Sequence, residues 1–108
     1  MKNYKNVVIE KNETGLVYKE PVHICYEHDY SKAIGWAYIG LVDGMYVADF
    51  VFHDKADRFV PEELMPELYP SIGYTFTKNE PNGLKRIYTV GLCKCPNVDE
   101  TILQLKHY

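Results

Sequence analysis

The chain has 108 residues and a mass of 12.6 kDa, with 46% hydrophobic and 25% charged residues. That is the size and composition of a single domain spanning 1–108, and it excludes a coiled coil, a collagen-like repeat and a disordered tail. The formal net charge of −3 argues against a bulk electrostatic grip on nucleic acid. No apolar run approaches the roughly 18–20 residues of a membrane helix. Met1-Lys2-Asn3-Tyr4-Lys5-Asn6 leads into only Val7-Val8-Ile9, so no signal-peptide core is present and an intracellular protein is expected.

In chain order, Val7-Val8-Ile9-Glu10 reads as a first strand, ended by Asn12-Glu13-Thr14-Gly15 and continued by Leu16-Val17-Tyr18. Residues 22–28 form the next strand. Alternation puts Val22, Ile24, Tyr26 and His28 on one face, and His23, Cys25 and Glu27 on the other. Two β-rich runs, 33–42 and 45–53, then flank Asp43-Gly44. Asp-Gly between such runs signals a two-residue hairpin, because a type I′ turn needs positive φ at both central residues. The register pairs Tyr38 with Asp49 and Ile34 with His53. Gly35 and Gly40 within the first run point to a bulge or a close backbone approach.

Pro61-Glu62-Glu63-Leu64 begins a short helix, with proline and acids suited to its first turn. Pro66 limits it to about two turns. Residues 71–77 and 84–95 form another antiparallel pair, joined through Pro81-Asn82-Gly83. Asn97-Val98-Asp99-Glu100 is a capping box opening a helix that runs to about Lys106. The order predicts a mainly β domain: a small curved sheet or barrel of about six to seven antiparallel strands with two short helices outside it. The 10 tyrosines suit an outer sheet face, with Tyr38 and Tyr46 as examples.

The three cysteines are an odd count, and Cys93-Lys94-Cys95 has the wrong spacing for a zinc pair. Buried reduced thiols are expected, and neither a metal nor a cofactor. His28, ending a strand before Asp29, and Ser71, at a helix-to-strand junction, are the residues best suited to chemistry. A serine nucleophile needs a base within hydrogen-bond reach and a group to orient that base.

The order of the segments adds a resemblance. Pro21-Val22-His23-Ile24-Cys25-Tyr26-Glu27-His28-Asp29, Ile34-Gly35-Trp36-Ala37 and the hairpin at Asp43-Gly44 resemble the front half of the tailed-phage prohead protease family. Tyr69-Pro70-Ser71-Ile72-Gly73-Tyr74 is similar to its nucleophile segment. The run from Val90-Gly91 through Pro96-Asn97 is similar to its last strand, proline turn and helix start. The resemblance implies an assemblin-like fold, Ser71 as nucleophile, His28 as general base and a phage capsid or scaffold protein as substrate. It places the work in the host cytoplasm, within or on the prohead. Thr89 aligns with the third catalytic member, where the family carries an acidic residue or the assemblins a second histidine. Asp29, Asp49 and Glu80 are the alternatives. Gly91 stands where a small polar residue is usual. Oxyanion donors would come from the loop near Lys94 to Pro96. Two functions follow: a serine peptidase of head maturation, or an inactive protease-fold protein that decorates a capsid or binds a host protein. Either partner is a protein, with self-association allowed, and neither a nucleic acid nor a membrane is expected.

Overall fold

The computed structural model describes residues 2–10, 15–18, 21–76 and 85–94. They form six strands: β1 (Tyr4–Glu10), β2 (Val22–Tyr26), β3 (Ala33–Val42), β4 (Met45–Phe52), β5 (Tyr69–Phe76) and β6 (Lys85–Cys93). The sheet order is β1-β4-β3-β2-β6-β5. The edge strands β1 and β5 contact each other, so the sheet curls into a half-barrel. Alternating residues fill its interior: Ile9, Ile24, Ile34, Phe50, Val90 and Leu92 are all buried. The domain is mainly β, a small curved sheet, as expected.

The strands are not uniformly antiparallel. β2 and β6 run parallel, with His23 beside Thr89 and Cys25 beside Gly91. β3 already occupies one edge of β2 as its hairpin partner, so β6 docks on the other edge in the direction set by its own hairpin with β5. Leu16-Val17-Tyr18 does not continue β1. Val17 instead bridges β6: its N–H donates to the Lys85 carbonyl at 2.9 Å, and its carbonyl accepts from Ile87 at 3.0 Å.

The helix start at Pro61 is a 3-10 helix, Glu62–Glu67. Leu64 N–H bonds the Pro61 carbonyl and Leu68 N–H the Met65 carbonyl. These are bonds three residues apart, and Pro66 lacks the N–H that an α ladder would use. Met65 is driven into the core. The helix predicted after Asn97, the loop 78–83, Glu80 and Cys95 lie outside the described residues. No helix among the described residues is long and apolar enough to cross a membrane.

The β3–β4 hairpin follows its sequence closely. Asp43 and Gly44 have φ of 51° and 78°. The register runs unbroken from Val42–Met45 through Tyr38–Asp49 to Gly35–Phe52, and His53 N–H reaches the Ile34 carbonyl at 2.9 Å. Gly35 is the close approach: a Cβ there would strike the Val51 carbonyl and stand 2.9 Å from Phe52 Cα. Gly40 is not, since a Cβ would meet nothing within 4 Å and the ladder passes it intact. Tyr38 is exposed as expected, but Tyr46 is not. It shares the inward parity of Ala48 and Phe50, and its buried hydroxyl accepts from Leu16 N–H at 2.9 Å.

Candidate functional site

β2 ends at Tyr26, two residues before the strand end read from its alternation. Glu27 and His28 then adopt φ of 53° and 58°. Asp29 N–H closes the turn on the Tyr26 carbonyl at 3.0 Å. Positive φ at both central residues is the type I′ pattern, here without glycine or asparagine. Each left-handed residue with a Cβ costs about 1–3 kcal/mol and persists only where the surroundings hold it.

The turn changes the face on which His28 acts. Strand alternation assigned it to the Ile24 side. The ring instead lies over Gly91, with Nδ1 and Nε2 each 2.6 Å from the position a Gly91 Cβ would take. Gly91 pairs with Cys25 on β2 and with Ser71 on β5. The imidazole thus fills the missing side chain of the residue opposite Ser71, on the Cys25 face of the sheet. Glycine within a strand often marks such an approach. A side chain at position 91 would collide with the imidazole, so glycine fits here.

Two bonds tie the turn to the end of β6. Glu27 N–H donates to the Leu92 carbonyl at 3.0 Å, and the Glu27 carboxylate accepts the Lys94 N–H at 2.9 Å. The Lys94 amide, expected among the oxyanion donors, is therefore already engaged. Asp29 accepts from the Ser31 amide at 3.0 Å and the Ser31 hydroxyl at 2.6 Å. The Ser31 hydroxyl, then its amide, hold the Asp29 carboxyl below its ordinary value, with Lys32 3.9 Å away adding to this. Asp29 caps the short helix Tyr30–Lys32.

Ser71 lies on β5 and is 8% exposed, so its hydroxyl is more enclosed than a residue at an open junction. Two positions on, Gly73 pairs with Thr89. A Cβ on Gly73 would strike Thr89 Cγ2 and meet the Tyr88 ring at 3.5 Å. The register shifts here, from Gly73–Thr89 to Tyr74–Ile87, leaving Tyr88 as the extra residue of a bulge. Ser71-Ile72-Gly73 and Thr89-Val90-Gly91 together make a floor in which small residues admit the His28 and Tyr88 rings. That spacing, a small polar residue two positions before a glycine in both strands, was the signal available in the sequence.

Thr89 is engaged with β2. It is 1% exposed; its hydroxyl donates to the His23 carbonyl at 3.0 Å and rests 3.5 Å from Cys25 Sγ. Asp49 lies on β4, two strands from β2, and accepts from Asn6 N–H at 3.0 Å. Cys25 and Cys93 are both buried.

Aromatic residues surround this floor. Tyr30 and Tyr88 approach to 5.9 Å between ring centroids, and the Tyr88 hydroxyl is foremost in pushing the Tyr30 phenol up to about 12. His23 stacks on Trp36 at 4.0 Å. A cleft of about 240 Å³ opens between that pair and Arg86 and Tyr88. It adjoins the rung where His23 meets Thr89, two residues along β6 from Gly91. Comparison of the chain with known protein families, with curated proteins and with solved structures finds no match.

Proposed function

We propose that this chain is a prohead-protease-like domain in which Ser71 attacks a peptide carbonyl of a phage capsid or scaffold protein and His28 takes its proton. The observation that carries the reading is the His28 ring lying over Gly91, the residue paired with Ser71. A serine hydroxyl is a weak nucleophile until an adjacent base activates it. The Ser71 Oγ–carbon bond forms as the proton passes to the imidazole. The C–N bond then breaks, and the amine leaves with that proton. Water, deprotonated by the same imidazole, hydrolyses the acyl ester. The strained turn supports the reading, because backbone strain gathers where a side chain must be aimed. The cleft beside Tyr88 gives an extended substrate a wall to lie against.

Co-expression with the phage's capsid and scaffold proteins tests it. The unmodified chain should shorten one of them; Ser71→Ala should leave both at full length. Full-length partners in both cases contradict the reading.

A second reading keeps the fold and drops the chemistry: a protein that decorates a capsid or binds a host protein. The Thr89 hydroxyl favours it, being uncharged and spent on the His23 carbonyl. Loss of the charged orienter of a serine-protease triad costs on the order of 10⁴ in turnover. Under this reading the chain co-sediments with assembled shells whose subunits stay intact, and Ser71→Ala changes nothing.

A further inference from the structure

We propose that Glu27 is a positioning residue whose carboxylate, bound to the Lys94 amide, latches the turn to the end of β6 and holds the His28 imidazole over Gly91. The proposal rests on the reading of Ser71 and His28 as a reacting pair, and it names what keeps them together.

The turn is not the conformation its own residues prefer. Glu27 and His28 both sit at positive φ, where a Cβ crowds the following carbonyl. Neither residue supplies the short side chain with which asparagine or aspartate eases that region. The conformation is therefore held from outside the turn, and Glu27 makes two of the holding bonds. Its N–H donates to the Leu92 carbonyl at 3.0 Å, and its carboxylate accepts from Lys94 N–H at 2.9 Å. The two bonds straddle Cys93, so Glu27 grips β6 at two successive peptide groups on the edge that faces β2. A single bond leaves a hinge; two fix the angle at which the turn leaves the sheet. The next residue in the chain is His28, whose ring lies over Gly91 on the same strand. Rotation that frees Glu27 from β6 carries that ring away from Ser71. The carboxylate does this from an exposed position, so filling the core is not its purpose.

The test uses the full chain and two readouts. One is the set of NMR cross-peaks between the His28 ring protons and the Gly91 Hα protons. The other is the rate at which a fluorophosphonate probe labels Ser71, read by mass spectrometry. Glu27→Ala should remove the cross-peaks and slow labelling about 100-fold, the scale expected when a reacting group is misplaced by an ångström. Glu27→Gln keeps a carbonyl oxygen for the Lys94 N–H and should retain both signals. Lys94→Pro removes the donor from the other side and should reproduce Glu27→Ala, which keeps the test open if that variant folds poorly. Cross-peaks that survive Glu27→Ala or Lys94→Pro overturn the proposal. So does a Glu27→Gln variant that loses them as fully as Glu27→Ala. If Ser71 of the unmodified chain takes no label, hydrolysis is refuted, and the cross-peaks alone decide the latch.

Discussion

Two turns in this molecule share one backbone geometry and differ in everything that supports it. Asp43-Gly44 and Glu27-His28 each place two successive residues at positive φ, 51° and 78° in the first, 53° and 58° in the second. The first uses residues suited to that region, and the β3–β4 ladder behind it runs without a break. The second uses glutamate, which resists it, and histidine, which tolerates it less readily than glycine. Two of the ladders around it are irregular, with register shifts after Ile24 and at Gly73, while the β2–β6 pairing between them runs without a shift. Where local preference and global fold agree, the chain builds scaffold. Where tertiary bonds override local preference, the chain aims a side chain, here the His28 imidazole.

The β3–β4 scaffold is the more sensitive of the two regions to substitution. Gly35→Ala should produce the largest loss, about 3 kcal/mol, because the new Cβ meets the Val51 carbonyl and Phe52 Cα, both rigid backbone. A melting temperature within a few degrees of the parent would mean the β3–β4 approach is looser than described. Gly44→Val should cost about 1–2 kcal/mol, since a β-branched residue is strained at φ 78°.

At the other turn the sign should reverse. His28→Asn puts a residue that tolerates the left-handed region at φ 58° and should stabilise the domain by up to about 1 kcal/mol while ending any hydrolysis. Asp43→Asn, at the relaxed turn, should leave the denaturation midpoint almost unmoved. A His28→Asn chain that is less stable than the parent would show that the turn carries no strain worth relieving.

The smallest effect is the pH dependence at Asp29. Its carboxyl titrates below the ordinary 3.8, first because of the Ser31 hydroxyl. A lowered carboxyl contributes stability above its unfolded value, and that contribution disappears as the pH falls through the folded value. Asp29→Asn should therefore flatten the acid limb of the stability curve slightly below about pH 4 and change nothing in shape near neutrality. An identical acid limb would mean the Ser31 contacts do not persist in solution.

How much of this was legible follows the same division. Asp43-Gly44 carries its turn chemistry in the residues themselves, so the hairpin and the Tyr38–Asp49 pairing could be read directly. Val22, Ile24 and the β6 residues Val90 and Leu92 announce their inward faces by alternation. The face of His28 could not be read that way. Alternation stops at Tyr26, and nothing in Glu27-His28 advertises a left-handed turn. The parallel seating of β6 beside β2 was equally hidden, because it depends on which sheet edge remains open after β3 has paired. Thr89 matched an expected position, yet its hydroxyl answers to the neighbouring His23 carbonyl, a partner that exists only once β2 and β6 are side by side. Tyr46 followed the inward parity of its own strand, against its polar tip. Residue type named Ser71 and His28; only the assembled sheet shows that Gly91 lets them share one rung.

Gly91→Ala puts the proposed activation of Ser71 by the His28 ring to the sharpest test. The added methyl takes the space of the imidazole without touching Ser71 or His28 in the sequence. Fluorophosphonate labelling of Ser71 should be detectable in the unmodified chain and fall about 100-fold in Gly91→Ala, with the fold retained by circular dichroism. Labelling at an unchanged rate in the variant, or no labelling of Ser71 in the parent, would show that the imidazole does not activate Ser71.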